Sequence, residues 1–256
     1  MRGLAAIFKR ECYAFFASPI FYVVGAIFLI LSGYFFYTAV AYFNLISFQA
    51  AQNPSLGGQV NLNEMVLKPL LDDMSIILLL LVPLLTMRLL SEEKKNGTIE
   101  LLLTYPLREW SIVLGKYLAT LMILCVLLAL TFVYLVLLSW FGDLEWGVIL
   151  TGYAGLILLV AGFVSLGLFV SSLTQNQIIA AVLSFGALLM FWVIGWIGSV
   201  SGPGVNRVVA YFSVTEHLDP FTKGIVDTRD LLFFINFSFF FLFLTLRYLD
   251  SQKIRG

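Results

Sequence analysis

The chain has 256 residues, of which 61% are hydrophobic and only 12% charged. A soluble domain carries roughly 50% apolar and 25% charged residues, so this excess cannot be buried in one water-surrounded core and the composition is that of an integral membrane protein. Fifteen Lys and Arg balance fifteen Asp and Glu, which removes any whole-chain electrostatic argument for binding nucleic acid.

The first predicted element is a surface helix over residues 1–18. Leu4, Ile7, Phe8, Cys12 and Phe15 fall on one side of it, and Lys9, Arg10 and Tyr13 on the other, the pattern of a helix lying in the membrane interface. Glu11 breaks the pattern by pointing into the middle of the apolar face. Its carboxylate either snorkels to the headgroups or pairs with a basic residue of another cytoplasmic segment, Arg88 being the candidate, and so fixes the helix to the bundle. Pro19 then turns the chain into the bilayer. Cys12 and Cys125 are far apart, which excludes a disulfide framework and leaves them as small apolar residues.

A crossing needs about 20 mostly apolar residues, and reading between charges gives six: 20–42, 74–90, 117–141, 147–170, 178–200 and 231–249. The fourth and fifth come from a stretch, Trp146 to Asn206, without Asp, Glu, Lys or Arg. Only its polar centre, Ser171 to Gln177, can turn at a surface. The second crossing is short, with 14 residues between Asp73 and Arg88, a length that also suits a re-entrant segment. Charge arbitrates. Six crossings put eleven basic residues (Arg2, Lys9, Arg10, Arg88, Lys94, Lys95, Arg108, Lys116, Arg247, Lys253, Arg255) on one side and four (Lys68, Arg207, Lys223, Arg229) on the other. Deleting the second makes the partition nine against six, so the positive-inside rule favours six, with both termini cytoplasmic. The first run is too long for a cleaved signal peptide, and no clear small-residue cleavage site follows it.

The loop over 91–111 has its own layout. Glu92-Glu93-Lys94-Lys95 extends the second crossing into water, Asn96-Gly97 makes a turn, and Thr98 caps a short helix that runs through Tyr105 and ends at Pro106. Its apolar side, Ile99, Leu102 and Leu103, needs a partner: either the membrane ends of this chain or a groove on another subunit. Asn96-Gly97-Thr98 matches a glycosylation sequon but reads as a turn on the cytoplasmic side. On the other face, 43–73 and 201–230 are external. Glu216, His217, Asp219, Asp227 and Asp230 do not read as a metal site, because one histidine with scattered carboxylates lacks the spacing of a zinc or iron centre. A second sequon at Asn236 lies inside the sixth run, where its side chain is expected to bond to a neighbouring helix.

The crossings carry essentially no ionisable residue, which counts against proton- or ion-coupled carriage, although main-chain and hydroxyl ligands could still bind sodium. No nucleophile and base lie at membrane depth. Gly115-Lys116-Tyr117 lacks both the leading glycine and the hydroxyl residue of a phosphate loop, so no catalytic residue, metal or cofactor is assigned, and any ATP must be bound by another chain. Gly152, Gly155, Ala161, Ser165, Gly167, Gly186, Gly195, Gly198 and Ser199 allow close helix approach, as intrachain packing or as a subunit interface or moving seam. Phe233, Phe234 and the run Phe237 to Phe243 read as lipid-facing bulk.

Phe8-Lys9-Arg10-Glu11, Thr86-Met87-Arg88, Glu92-Glu93-Lys94-Lys95-Asn96-Gly97-Thr98-Ile99-Glu100-Leu101-Leu102 through Pro106, Val113-Leu114-Gly115-Lys116-Tyr117 and Gly167 to Gln177 together resemble the ABC-2 type exporter permeases, and most closely the gliding-motility-associated permease subunit and its bacterial relatives. The resemblance covers nearly the whole chain. It implies an all-α membrane protein: one transmembrane domain over 1–256 with six transmembrane helices, an N-terminal interfacial amphipathic helix and a short cytoplasmic coupling helix. It further implies a bacterial inner-membrane location, a second permease chain, identical or homologous, and two cytoplasmic ATPase subunits that bind ATP and Mg. Coupling to them is implied for Glu93, Gly97, Thr98, Glu100, Leu101 and Leu102, with Leu103 completing the apolar side and Lys9, Arg10 and Glu11 adjoining. Three readings stand at this point: an ATP-driven exporter permease, the same assembly doing mechanical or signalling work, and an ATP-independent channel or carrier.

Overall fold

The computed structural model describes residues 2–52, 61–98, 108–140, 144–200 and 211–255. Every element among them is helical: α1 (Arg2–Ala17), α2 (Pro19–Gln52), a π turn at Asn63–Leu67, α3 (Lys68–Thr86), α4 (Arg88–Lys95), α5 (Glu109–Leu130), α6 (Phe132–Leu138), α7 (Trp146–Leu173), α8 (Gln177–Val200), α9 (Val214–Thr222) and α10 (Thr228–Arg255). Six helical stretches among the described residues are long and apolar enough to cross a membrane, in the order read from the sequence.

The second crossing is not re-entrant. Helix runs from Asn63 to Lys95, 33 residues or about 50 Å at 1.5 Å per residue, so the charged residues at its ends are continuations of the rod. This crossing and α7 are 72% buried, against 17–39% for the other four, which makes them the centre of the bundle. Small residues set that centre. A Cβ at Gly155 would lie 2.6 Å from Phe221 Cβ, one at Gly167 would lie 2.8 Å from Thr86 Cβ, and Gly152 takes the side chain of Leu71. Of the small residues read as a packing stripe, these glycines serve contacts within the chain. Gly186 faces open space.

Local chemistry explains the breaks. Ser18 separates α1 from α2, and Pro19 opens α2, where a missing N–H costs nothing. Pro83 lies inside α3 without an N–H for the helix ladder, and Met87, one turn later, marks the join of α3 to α4 while its amide bonds the Pro83 carbonyl at 2.9 Å. At the turn between α7 and α8, Asn176 Oδ1 accepts from the amides of Ile178 (2.9 Å) and Ile179 (3.4 Å), so the polar centre predicted to turn does so with an N-cap.

The phenylalanine run divides. Phe239, Phe240 and Phe243 are exposed as expected for lipid-facing bulk, but Phe234 is buried. Phe237 meets Phe191 edge-on at 5.1 Å, and Phe241 meets Phe169 at 5.9 Å, so the inner rings key α10 to α8 and α7. Asn236 is on the exposed face of α10, and among the described residues it has no side-chain hydrogen bond to a neighbouring helix. Both cysteines are free.

At the end remote from the N-terminus, His217 lies between Asp230 (Nδ1 to Oδ1, 2.6 Å) and the carbonyl of Tyr211 (3.2 Å), stacked on Phe233 at 4.0 Å. Asp219 pairs with Lys223 and with Lys68. Burial raises the Asp219 carboxyl, but the two ammonium groups bring it below the ordinary carboxylate range. These residues are tied into hydrogen bonds that join α9 to α10 and to α3, and no group of three His, Cys, Asp or Glu among the described residues could hold a metal ion.

Candidate functional site

The face of α1 read as lying toward the lipid packs on the start of α5. Ile7, Glu11 and Phe15 are buried, while Lys9, Arg10 and Tyr13 stay exposed. Gly115 permits the contact, since a Cβ there would lie 2.8 Å from Ile7 Cγ2. The next residue, Lys116, is 2% exposed, and a buried ammonium needs anionic partners.

It has two. Lys116 Nζ lies 2.9 Å from Glu11 Oε1 and 2.9 Å from Glu93 Oε1. Arg10 meets the same two oxygens, at 2.8 Å and 2.9 Å. The four side chains close a ring in which cation and anion alternate, joining α1, the end of α4 and the start of α5. The snorkelling alternative for Glu11 is therefore wrong, and so is Arg88 as its partner. Arg88 donates to Ser18 Oγ at 2.9 Å and lies over the Phe15 ring at 4.7 Å, which fastens the α1–α2 corner instead. A cavity of about 390 Å³ opens beside the ring, walled by Arg10, Arg88, Glu92 and Asn96 among others.

Burial raises the Glu11 carboxyl, but Lys116 and Arg10 outweigh it and hold the group below its ordinary 4.5. A carboxyl depressed in the folded state contributes stability that is complete above the unfolded value and is lost as pH falls through the folded one. The stability gap between the wild type and Glu11→Gln is therefore expected to be full at neutral pH and to close on acidification below pH 4.5. Unfolding midpoints of both proteins measured against pH check this; a gap that widens in acid would contradict it.

Lys116 is the residue of this ring that sequence reading does not single out. In the sequence it stands among the basic residues read as cytoplasmic, in a stretch that fails as a phosphate loop, and within the Val113 to Tyr117 segment that carries the family resemblance. The usable signal was an ion-pair imbalance: Glu11 in the centre of an apolar face requires a cation, and Lys116 opens an apolar run.

At the turn, Gly97 has φ +67°, the left-handed geometry that ends a helix most readily with glycine, and its amide bonds the Lys94 carbonyl at 3.2 Å. The Thr98 hydroxyl donates back to the Glu93 carbonyl at 3.2 Å, so it helps close α4. Glu100, Leu101, Leu102 and Leu103, with the predicted short helix, lie outside the described residues. The structure thus brings Arg10, Glu11, Glu93, Gly97 and Thr98 to one end of the bundle, leaves Lys9 exposed, and adds Lys116.

The neighbouring anchor is between α4 and α7. Ser171 Oγ accepts from the amides of Leu90 (3.0 Å) and Ser91 (3.1 Å) and donates to the Met87 carbonyl (2.9 Å). Lys94 Nζ donates to the Ser172 carbonyl and lies 4.6 Å from the centre of the Tyr248 ring.

Compared with known proteins, residues 5–255 match a family model described as an ABC-2 family transporter protein. No curated protein matches the chain.

Proposed function

Because this chain belongs to the ABC-2 family of transporter proteins, and so supplies the membrane component of a transporter, we propose that it is the permease subunit of an ATP-driven exporter in the bacterial inner membrane. Both termini and the 91–111 loop face the cytosol. Two ATPase subunits grip the apolar stub of that loop, at Glu100, Leu101, Leu102 and Leu103, and carry ATP and Mg themselves. A second permease chain completes the assembly. The loop's likeness to gliding-motility-associated permeases supports that subtype as the narrower proposal.

The observation that carries this reading is the ring of Arg10, Glu11, Glu93 and Lys116. It fastens the surface helix to both legs of the loop, so a push on the stub reaches two crossings as one body. The mechanism needs no titrating group at membrane depth.

Purification of the tagged full chain from its own membranes tests the proposal. A nucleotide-binding subunit is expected to co-purify, and Leu102→Asp with Leu103→Asp is expected to reduce its recovery by about tenfold or more, since a charge in an apolar socket costs over 1.4 kcal/mol. Recovery unchanged by the double substitution would remove the stub as the gripping point. Labelling of a Thr98→Cys variant from outside intact cells would invert the orientation and end the proposal.

A further inference from the structure

Ser171 is fully buried in α7, and all three of its hydrogen bonds go to the junction of α3 and α4. A hydroxyl has one donor and two acceptor sites, so its capacity is wholly spent there. At this junction α3 ends at Thr86 and α4 begins at Arg88, with Met87 between them a turn residue whose backbone stays helical and whose amide still reaches the Pro83 carbonyl at 2.9 Å. The first amides of α4 are thus held by a side chain of another helix inserted into the ladder. Lys94, a turn later, is bound to the Ser172 carbonyl. One turn earlier in α7, the absence of a side chain at Gly167 admits Thr86. Ser172, by contrast, spends its hydroxyl on its own helix, donating to Phe169 O at 2.6 Å.

We propose that Ser171 is a positioning residue that makes α7, the fourth crossing, the mechanical continuation of α4. A displacement entering at the end of α4 passes through the Ser171 hydroxyl into the buried centre of the bundle as well as along α3. That this displacement comes from an ATPase rests on the function proposed above; the link itself is a property of this chain.

Hydrogen exchange of the full-length chain in lipid nanodiscs, read in fragments covering residues 87–95, tests the link. The wild-type amides of Leu90 and Ser91 are protected. Ser171→Ala speeds their exchange by about tenfold, the loss of one buried hydrogen bond. Ser172→Ala leaves the same fragments at the wild-type rate. Ser171→Thr, which keeps the hydroxyl, restores protection and serves as the reference if the alanine variant folds poorly. Exchange unchanged in Ser171→Ala, or accelerated equally in Ser172→Ala, overturns the proposal. In the assembled complex, spin labels at Lys95 and Leu173, with Cys12 and Cys125 replaced by Ser, keep one separation when ATP and vanadate trap the wild type, and separate in Ser171→Ala. Independent movement of the two labels in the wild type also overturns it. Absence of any ATPase from the purified chain would defeat the coupling reading and leave the exchange result to decide on Ser171.

Discussion

Lys116→Met destabilises the chain by about 3–5 kcal/mol, the cost of removing one partner from a buried ion pair and leaving the opposite charge uncompensated. Both carboxylates it serves lie within the fold: Glu11 and Glu93 side chains are 11% and 15% exposed. Arg10 remains to meet them, but that side chain is 52% exposed and its pairs are weakened by solvent. The substitution is nearly isosteric, so little volume is lost at the buried site and the loss is electrostatic. Adding Glu11→Gln and Glu93→Gln to Lys116→Met removes the stranded charges and recovers most of the loss. Equilibrium unfolding in mixed detergent micelles gives both numbers. If the single and triple variants are equally unstable, the ring is not what holds α1 to α4 and α5.

Gly155→Ala is the second large effect, about 1–3 kcal/mol of destabilisation from overpacking. Alanine ordinarily stabilises a helix relative to glycine by about 1 kcal/mol, so the sign of this change is set by space. A methyl group at Gly155 would stand 2.6 Å from Phe221 Cβ and 3.2 Å from Leu218 Cδ1, both buried, on a helix that cannot withdraw without breaking the His217–Asp230 tie. Gly186→Ala is the control. It meets nothing within 4 Å and is expected to be neutral or up to about 1 kcal/mol stabilising. Unfolding midpoints of the two variants should move in opposite directions; a parallel loss would mean that backbone flexibility, not close approach, explains the glycines.

The bundle was legible because its signals are local. Charges bracket the second, third and sixth crossings, a polar turn parts the fourth from the fifth, Pro19 and Asn176 mark corners, and the turn at Asn96-Gly97 follows from residue chemistry alone. The site was half legible. Glu11 announced itself as an acid on an apolar face, but its partner is 105 positions away, and no periodicity encodes a contact at that separation. Arg88 and Lys116 are alike in the sequence as basic residues of a segment read as cytoplasmic; what separates the two cations is the burial created when Gly115 lets α1 settle on α5. The glycines show the same limit. Gly155 and Gly186 are equivalent as letters in apolar helices, and only the arrival of α9 against one of them tells them apart.

The ring has a further consequence for the surroundings in which the protein works. Two positive and two negative groups in alternation carry no monopole, so their field dies away faster than that of a lone charge. The seat of α1 is thereby electrically silent toward its bilayer. Anionic headgroups, whose surface potential pulls on basic segments, gain little purchase on it, and added salt, which screens exposed charges beyond about 10 Å, loosens the half-exposed Arg10 pairs before the buried Lys116 ones. The anchoring of the N-terminal helix is therefore expected to depend little on lipid composition and ionic strength, and the basic groups of α1 outside the ring, Lys9, which is exposed, and Arg2, are left to sense them.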